Sequence, residues 1–237
     1  MFPIRDINPV NIHPWVKYCL IGVCALVFFI FQSHDTIEET QEFLYRRAVI
    51  GCEVTNGRPL STTEILTQVC SDVPAPAAFP DKNPWLAMFT SMFLHGSLAH
   101  LAFNMWFLWI FGNNVEEAFG HLRFALLYVV GGVVATLAFV FGNPQSTVPL
   151  VGASGAIAAV LGAYAVLYPK TQVITLLGWI LIPLPASIFL GIWLVLQFGL
   201  GGTNIAWEAH VGGFVFGLVV AWMFRRSLSE RLARSGA

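Results

Sequence analysis

Charged residues are scarce in this sequence, and their scarcity excludes most classes of soluble protein. Only 11% of the 237 residues are Asp, Glu, Lys or Arg, whereas 57% are hydrophobic. A soluble domain averages about 25% charged residues, which it needs to cover its surface. The net charge of −1 also leaves no positive excess for binding nucleic acid. We therefore expect an integral membrane protein that works in contact with the lipid bilayer.

Sequence patterns for metal and phosphate binding are also missing. There is no HExxH motif, no phosphate-binding glycine loop and no internal repeat. Two of the cysteines, Cys19 and Cys24, lie in an apolar stretch, where we expect them to pack as core residues. The other two, Cys52 and Cys70, share a polar loop and either form a disulfide on an oxidising side of the membrane or stay reduced. We expect no metal site and no cofactor.

Six apolar stretches approach the length of about 20 residues that a helix needs to cross a bilayer. They are Trp15–Gln32, Ser97–Val115, Phe124–Phe141, Ala153–Leu167, Val173–Phe198 and Ile205–Phe224. The first is not typical of a cleavable signal peptide, because no small-residue cleavage site follows it. The sequence therefore predicts an all-α, polytopic membrane protein with a bundle of six transmembrane helices.

We interpret residues 1–237 as a single membrane domain. Its expected parts are a first helix (14–32), an external loop (33–84), a core (85–224) and a basic tail (225–237). Lys and Arg in short connections mark the cytoplasmic side of a membrane protein. Here they fall on alternate connections, at Arg5, Lys17, Arg123, Lys170, Arg225, Arg226, Arg231 and Arg234. We therefore expect both termini in the cytoplasm and, because no transit peptide is evident, residence in a bacterial plasma membrane.

Strongly polar side chains inside the apolar stretches mark the candidate site, because burying them in a membrane costs free energy. In the predicted topology the second, fourth and sixth stretches all enter the membrane from outside. That arrangement brings His100 and Asn104 of the second stretch, Ser154 of the fourth and His210 of the sixth to a similar depth. The candidates are His95, His100, Asn104, Ser154, Glu208 and His210.

Small residues accompany the serine and the last histidine. Ser154 is followed at helical spacing by Ala158 and Gly162, and His210 by Gly213 and Gly217. Small side chains allow transmembrane helices to approach closely. We therefore expect the fourth and sixth stretches to pack together and to bring Ser154 within hydrogen-bonding reach of His210.

These groups suggest a serine nucleophile with a histidine base. A serine hydroxyl becomes a good nucleophile when a neighbouring base takes its proton, and an imidazole can do so near neutral pH. Asn104, His100 and the free N–H groups of a helix start would bind the oxyanion that forms. Gly152 and Ala153 would let a substrate backbone approach.

Two plainer interpretations stay open. Ser154 is also suited to cap the N-terminus of its helix, and His210 is also suited to a packed core position. The sequence offers no carboxylate to orient His210, because Glu208 is two residues away and faces another side of the helix.

Three motifs together resemble the rhomboid family of intramembrane proteases. They are HGSLAHLAFNM (95–105), GASG (152–155) and AHVGGFVFG (209–217), and the resemblance covers roughly Phe89 to Trp222. A GxSG motif alone is weak, but the three in this order on the second, fourth and sixth stretches are specific. At Ala158 the sequence departs from the family, which often has a bulky aromatic residue there to pack on the histidine.

The resemblance implies a serine endopeptidase that cuts other membrane proteins in or near their transmembrane segments. Its catalytic dyad would be Ser154 and His210, with Asn104 and His100 binding the oxyanion, and it would use no metal or cofactor. It would open laterally at the fifth stretch, where Pro183 and Pro185 would kink the helix either as part of this opening or as a fixed bend with no gating role.

Two other functions compete with this interpretation. A catalytically inactive relative that binds membrane-protein clients would usually lack the serine or the histidine, and this sequence keeps both. A transporter or channel with a histidine proton relay would need acidic residues deep in several spans or symmetry between its halves. Neither is evident in the sequence.

Overall fold

A computed structural model describes residues 1–32, 36–199 and 205–235, and these residues are mostly helical. The helices are α1 (Trp15–Leu26), α2 (Ile37–Arg47), α3 (Gly51–Asn56), α4 (Thr62–Thr67), α5 (Pro84–Thr90), α6 (Leu98–Phe119), α7 (His121–Gly142), α8 (Ser154–Leu167), α9 (Ala186–Phe198) and α10 (Trp207–Ser235). A π-helical turn, Val27–Phe31, extends α1, and a 3-10 turn, Ser91–Phe93, follows α5. The strands β1 (Phe2–Asp6), β2 (Gln172–Leu177) and β3 (Ile180–Pro185) form an antiparallel sheet in the order β1-β2-β3.

Two helices, α7 and α10, are long and apolar enough to cross a membrane. A third span results if α5 and its following turn are counted with α6, to which they are bent by 77°. Within the described ranges the shorter apolar helices are Trp15–Phe31, Ser154–Leu167 and Ala186–Phe198. The chain is therefore a membrane protein, and the count of six spans stays a prediction. Helix α10 continues to Ser235, into the segment that the sequence suggested as a basic tail, whose last two residues lie outside the described ranges.

The predicted fifth transmembrane helix is wrong in its first half, and the fold is therefore not all-α. Residues of that stretch form the hairpin of β2 and β3, and only Ala186–Phe198 is helical. The hairpin turns at Gly178, whose φ of +61° suits the first central position of a type II′ turn. Pro183 and Pro185 lie in β3 and do not kink a helix. Since proline has no N–H to donate, the backbone nitrogens of both prolines must point towards the free edge of the sheet.

The sheet packs against the helices through β1. The Phe2 ring stacks on Trp106 in the middle of α6, with ring centroids 5.7 Å apart, and the indole N–H of Trp106 donates to the carbonyl of Pro3 at 2.7 Å. At the other end of the strand, the Tyr164 hydroxyl of α8 donates to the Asp6 carboxylate at 2.6 Å. Strand β1 thus joins the hairpin to α6 and α8.

Helix α8 lies at the centre of the fold, and its backbone touches that of α10. Every residue from Gly155 to Tyr164 is buried. A Cβ atom added at Gly213 would lie 2.2 Å from the carbonyl oxygen of Gly155, and one at Gly217 would lie 1.8 Å from that of Ala159. The predicted packing of the fourth and sixth stretches is confirmed by these contacts, which only glycine allows.

A buried carboxylate on α6 holds the beginning of α1. Helix α1 has no side-chain cap of its own, because Pro14 occupies the cap position. Glu116 replaces the cap by accepting hydrogen bonds from the N–H groups of Val16 at 3.0 Å and Lys17 at 2.8 Å. The negative charge also suits the positive end of the helix dipole. This contact fixes α1 against α6.

The loop between α1 and α6 folds into short helices that are linked by polar contacts. Cys52 and Cys70 form a disulfide, which decides the alternative that the sequence left open. Arg58 makes a bidentate ion pair with Glu64 at 2.9 Å for each contact. The Glu64 carboxylate also accepts from the backbone of Ser61. These bonds, with Arg58 first among them, lower the pKa of Glu64 to about 2.

The depressed pKa of Glu64 predicts how this loop responds to acid. A carboxylate with a folded pKa below its ordinary 4.5 contributes stability that is present above pH 4.5 and lost as the pH falls towards 2. Arg58→Met should raise the pKa of Glu64 and move this loss to higher pH. Hydrogen exchange of residues 61–71 between pH 2 and 6, corrected for intrinsic rates, measures the shift. Arg46→Met removes the exposed pair with Glu42 and serves as the control; equal midpoints in both variants would contradict the expectation.

Candidate active site

Ser154 and His210 are hydrogen-bonded across the contact between α8 and α10. The hydroxyl oxygen of Ser154 lies 2.8 Å from Nε2 of His210. Ser154 is the first residue of α8, Ala153 occupies the cap position, and no side chain caps the helix. The plainer interpretation of Ser154 as an N-cap is therefore wrong. Its hydroxyl points to the histidine, and its half-buried position leaves it reachable.

The second ring nitrogen of His210 is held by a residue that sequence reasoning missed. Its Nδ1 lies 2.7 Å from Oε1 of Gln197, and the Trp193 ring lies beside the imidazole with centroids 6.1 Å apart. Both partners belong to α9. They contact the imidazole from α9, whereas the family resemblance leads us to expect a bulky residue at Ala158 of α8. A signal existed, since Gln197 is a strongly polar residue in a largely apolar helix.

Gly152 lies where His100 and Asn104 of α6 come close to the backbone that precedes the serine. It has a φ of +124°, which favours glycine, and a Cβ there would lie 2.8 Å from the ring of His100 and 3.6 Å from Nδ2 of Asn104. Its N–H already donates to the carbonyl of Ser91 at 3.0 Å. The structure thus gathers His100 and Asn104 around the backbone that leads into Ser154.

Asn104 carries a donor that has no partner within the described ranges. Its side chain is buried, and its Nδ2 makes no hydrogen bond there. Buried amide groups are nearly always paired, so an unpaired one calls for a functional explanation. An incoming oxygen atom would satisfy it. The structure thus places an unpaired amide donor beside Gly152.

His95 lies behind His100 and is fully buried. The two imidazole rings meet edge to face with centroids 5.2 Å apart. The side chain of Gln32 binds the backbone of His95 on both sides, donating to its carbonyl and accepting from its N–H. This placement, behind His100 and held by Gln32, supports a positioning role for His95.

Glu208 lies away from the dyad. It is half-buried and packs against Gly142 at the end of α7, where an added Cβ would be 3.1 Å from its Cγ. Together with Asn143 it lines a cavity of about 260 Å³. Glu208 therefore does not orient His210, in agreement with its position on another face of the helix.

A metal has no ligand set in the part of the chain that the structure describes. Cys52, Glu64 and Cys70 come close enough together to hold an ion. The two cysteines are joined in a disulfide, however, so they offer no thiolate ligands. Metal-assisted hydrolysis therefore has no support from these residues.

Known proteins resemble this chain across the region that contains the site. The family model for the rhomboid domain matches residues 82–227. The rhomboid protease GluP of Bacillus subtilis is 36% identical over 143 residues, which cover 59% of this chain and 26% of that protein. The mitochondrial presenilin-associated rhomboid-like protein A of Danio rerio is 32% identical over 145 residues, 58% of this chain and 37% of that protein. The chloroplastic rhomboid-like protein 11 of Arabidopsis thaliana is 30% identical over 158 residues, 60% of this chain and 53% of that protein.

The chain thus spans between about a quarter and a half of the length of these relatives. These relatives are a bacterial, a mitochondrial and a chloroplastic protein, so the kind of membrane stays a prediction. The family match extends from the segment before α5 into α10 and includes every candidate site residue. Because that match covers more than half of the sequence and contains the serine and histidine motifs, the chain belongs to the rhomboid family.

Proposed function

We propose that this chain is an intramembrane serine endopeptidase with Ser154 as nucleophile and His210 as its base. The observation that carries the proposal is the 2.8 Å hydrogen bond between the serine hydroxyl and Nε2 of the histidine. A catalytically inactive relative would have no need to keep this pair aligned. Membership of a family that includes a protein named as a protease supports the same conclusion.

The proposed reaction begins when the hydroxyl oxygen of Ser154 attacks the carbonyl carbon of a peptide bond. Nε2 of His210 takes the hydroxyl proton as the new C–O bond forms. The imidazolium then gives that proton to the departing amine, which leaves an acyl ester on Ser154. A water molecule attacks the ester with His210 again as base, and the serine is regenerated.

The negative charge that develops on the carbonyl oxygen needs fixed donors. Asn104 supplies an amide that is buried and has no partner in the described ranges, and His100 lies beside it at Gly152. The N–H of Ser154 is among the first four of α8, which have no acceptor within the helix. Donors held in place before the reaction cost no rearrangement when the charge appears.

We propose membrane proteins as substrates, with the lipid bilayer as the surrounding medium. Large apolar side chains on the helices around the site are exposed and would face lipid, among them Trp109, Leu126, Val195 and Trp222. A transmembrane segment reaching the site through that medium would not have to leave the membrane. The proposal includes six spans, both termini in the cytoplasm and an external loop before α6, as the distribution of Lys and Arg predicts.

Cleavage by the purified, reconstituted chain tests this function. We expect two fragments from a model transmembrane substrate, with the cut in or near its membrane segment, and no fragments with Ser154→Ala. Mass spectrometry of the fragments locates the cut. Cleavage that persisted in Ser154→Ala, or that never occurred with several permissive substrates, would remove the protease assignment.

Asn104→Ala should slow cleavage without abolishing it. Loss of one oxyanion donor costs about 10²–10³-fold in kcat in a soluble serine protease. We expect a loss at the lower end here, because His100 and the N–H of Ser154 remain. The rate of cleavage at saturating substrate measures it, and Asn143→Ala, at the cavity that Glu208 lines, is the matched control. Unchanged turnover in Asn104→Ala would exclude this residue from the site.

A further inference from the structure

We propose that Gln197 is a positioning residue that selects the tautomer of His210 and keeps its Nε2 free to act as a base. The proposal rests on the proposed function for its rate measurements but not for its structural measurement. Gln197 is buried and touches the imidazole on the side opposite Ser154. It would thus complete a chain of three side chains drawn from α8, α9 and α10.

The orientation of the Gln197 amide follows from its second hydrogen bond. Its Nε2 lies 2.9 Å from the carbonyl oxygen of Trp193, one turn earlier in α9. A carbonyl oxygen only accepts, so the atom facing it must be the NH₂ group. The other end of the amide, Oε1, must therefore face His210. A reversed amide would leave the carbonyl of Trp193 opposite another acceptor.

The orientation of the amide in turn decides where the imidazole carries its proton. Oε1 of Gln197 only accepts, so Nδ1 of His210, at 2.7 Å, must donate. A neutral imidazole has one N–H, and if Nδ1 carries it then Nε2 presents a lone pair. The Ser154 hydroxyl, 2.8 Å from that lone pair, is then the donor. The backbone carbonyl of Trp193 thus fixes the orientation of the Gln197 amide, and through it the position of the proton on His210 and on Ser154.

The amide of Gln197 can perform part of the task that a carboxylate performs in a catalytic triad. In triads with aspartate, the acid holds the imidazole in the correct tautomer and stabilises the imidazolium. An amide performs the first task without placing a formal charge in an apolar bundle, where a charge is costly. It performs the second task only weakly, because it is a dipole. Gln197 should therefore decide which ring nitrogen of His210 carries the proton, and it should affect the basicity of the imidazole much less.

Two substitutions separate these tasks. Gln197→Met keeps the approximate shape of the side chain but has no oxygen to accept from Nδ1. Gln197→Glu keeps an acceptor and adds a negative charge. The wrong tautomer lowers kcat about 10⁴-fold in a soluble triad. Here the ring keeps its contact with Trp193, so we expect a smaller loss of about 10–100-fold in kcat for Gln197→Met. Gln197→Glu should retain most of the activity at a pH above the acidic limb of its own pH profile.

The pH profile adds a readout that a purely structural role would not move. His210 must be neutral to accept a proton, so activity falls as the pH drops below the pKa of its imidazole. A carboxylate at position 197 favours the imidazolium and should move this acidic limb to higher pH. Val195→Met, a change at an exposed position of the same helix, should leave both the rate and the profile unchanged. A Gln197→Met enzyme with wild-type kcat, or a Gln197→Glu enzyme with an unmoved acidic limb, would overturn the proposal.

Nitrogen NMR of the histidine side chains tests the tautomer without any substrate. In ¹⁵N-histidine-labelled protein the signals of His210 are those that vanish in His210→Ala. We expect a protonated Nδ1 and an unprotonated Nε2 in the wild type, and a mixture of tautomers in Gln197→Met. A wild type protonated on Nε2 would refute the role of Gln197 even if the protein cleaves its substrates. Conversely, a protein that cleaves nothing but shows the expected tautomer would refute the proposed function alone.

Discussion

Replacing either member of the dyad by alanine should reduce cleavage about as much as replacing both. In a soluble serine protease, loss of the nucleophile or of the base alone lowers kcat by about 10⁶-fold, and loss of both costs little more. Ser154 and His210 share one proton through a 2.8 Å hydrogen bond. Neither can do its chemistry without the other, so the effects of the two substitutions should not add. The rates of Ser154→Ala, His210→Ala and the double variant measure this.

The two single variants should remain folded. Ser154 and His210 are half-buried. Alanine removes one side-chain hydrogen bond at Ser154 and two at His210, without forcing atoms together. Equal thermal unfolding midpoints in the wild type and both variants would show that chemistry, not folding, was lost. If instead the double variant were far less active than either single one, the two residues would act independently and the dyad would be refuted.

Gly217→Val should disrupt the contact between α8 and α10 and with it the dyad. Any Cβ at this position would lie 1.8 Å from the carbonyl oxygen of Ala159, which is backbone and cannot turn aside. Overpacking a well-packed core costs about 1–3 kcal/mol, occasionally more, and a collision with backbone belongs at the upper end. The helices must separate, and Ser154 and His210 separate with them. We expect both a lower unfolding midpoint and the loss of most cleavage.

Gly191→Val provides the matched control for this prediction. It places the same side chain on a helical glycine of α9, where an added Cβ meets nothing within 4 Å. Valine costs a helix little compared with glycine, so this variant should fold and cleave normally. A Gly217→Val protein as stable as the Gly191→Val protein would contradict the close helix contact on which the site depends.

The candidate site could be anticipated from the sequence because polar side chains cost free energy inside a membrane and are therefore rare there. Polar groups such as Asn104, Ser154 and His210 stand out against apolar surroundings, and their helical spacing predicts which faces meet. The glycines behind His210 predict the approach of α8 and α10 because few other residues allow it. The depth of each polar residue in the membrane, the helix face that carries it and the small residues beside it can all be predicted from short stretches of sequence.

The hairpin and the partner of His210 could not be anticipated in the same way. Residues 172–185 are uncharged and largely apolar, so hydropathy alone cannot distinguish two paired strands from half of a helix. The β-branched residues, the prolines and Gly178 favour a hairpin, whereas the continuous apolar character of the stretch favours one long helix. Because that helix was placed incorrectly, the face that carries Gln197 could not be assigned to His210.

The most direct measurement of the central claim is the site of reaction with a fluorophosphonate, which labels activated serine hydroxyls. Tandem mass spectrometry of the labelled, reconstituted protein should find the phosphonyl group on Ser154, and the labelling should disappear in His210→Ala. Modification of Ser154 that is equally fast without His210, or its absence while other serines react, would contradict an activated Ser154–His210 dyad.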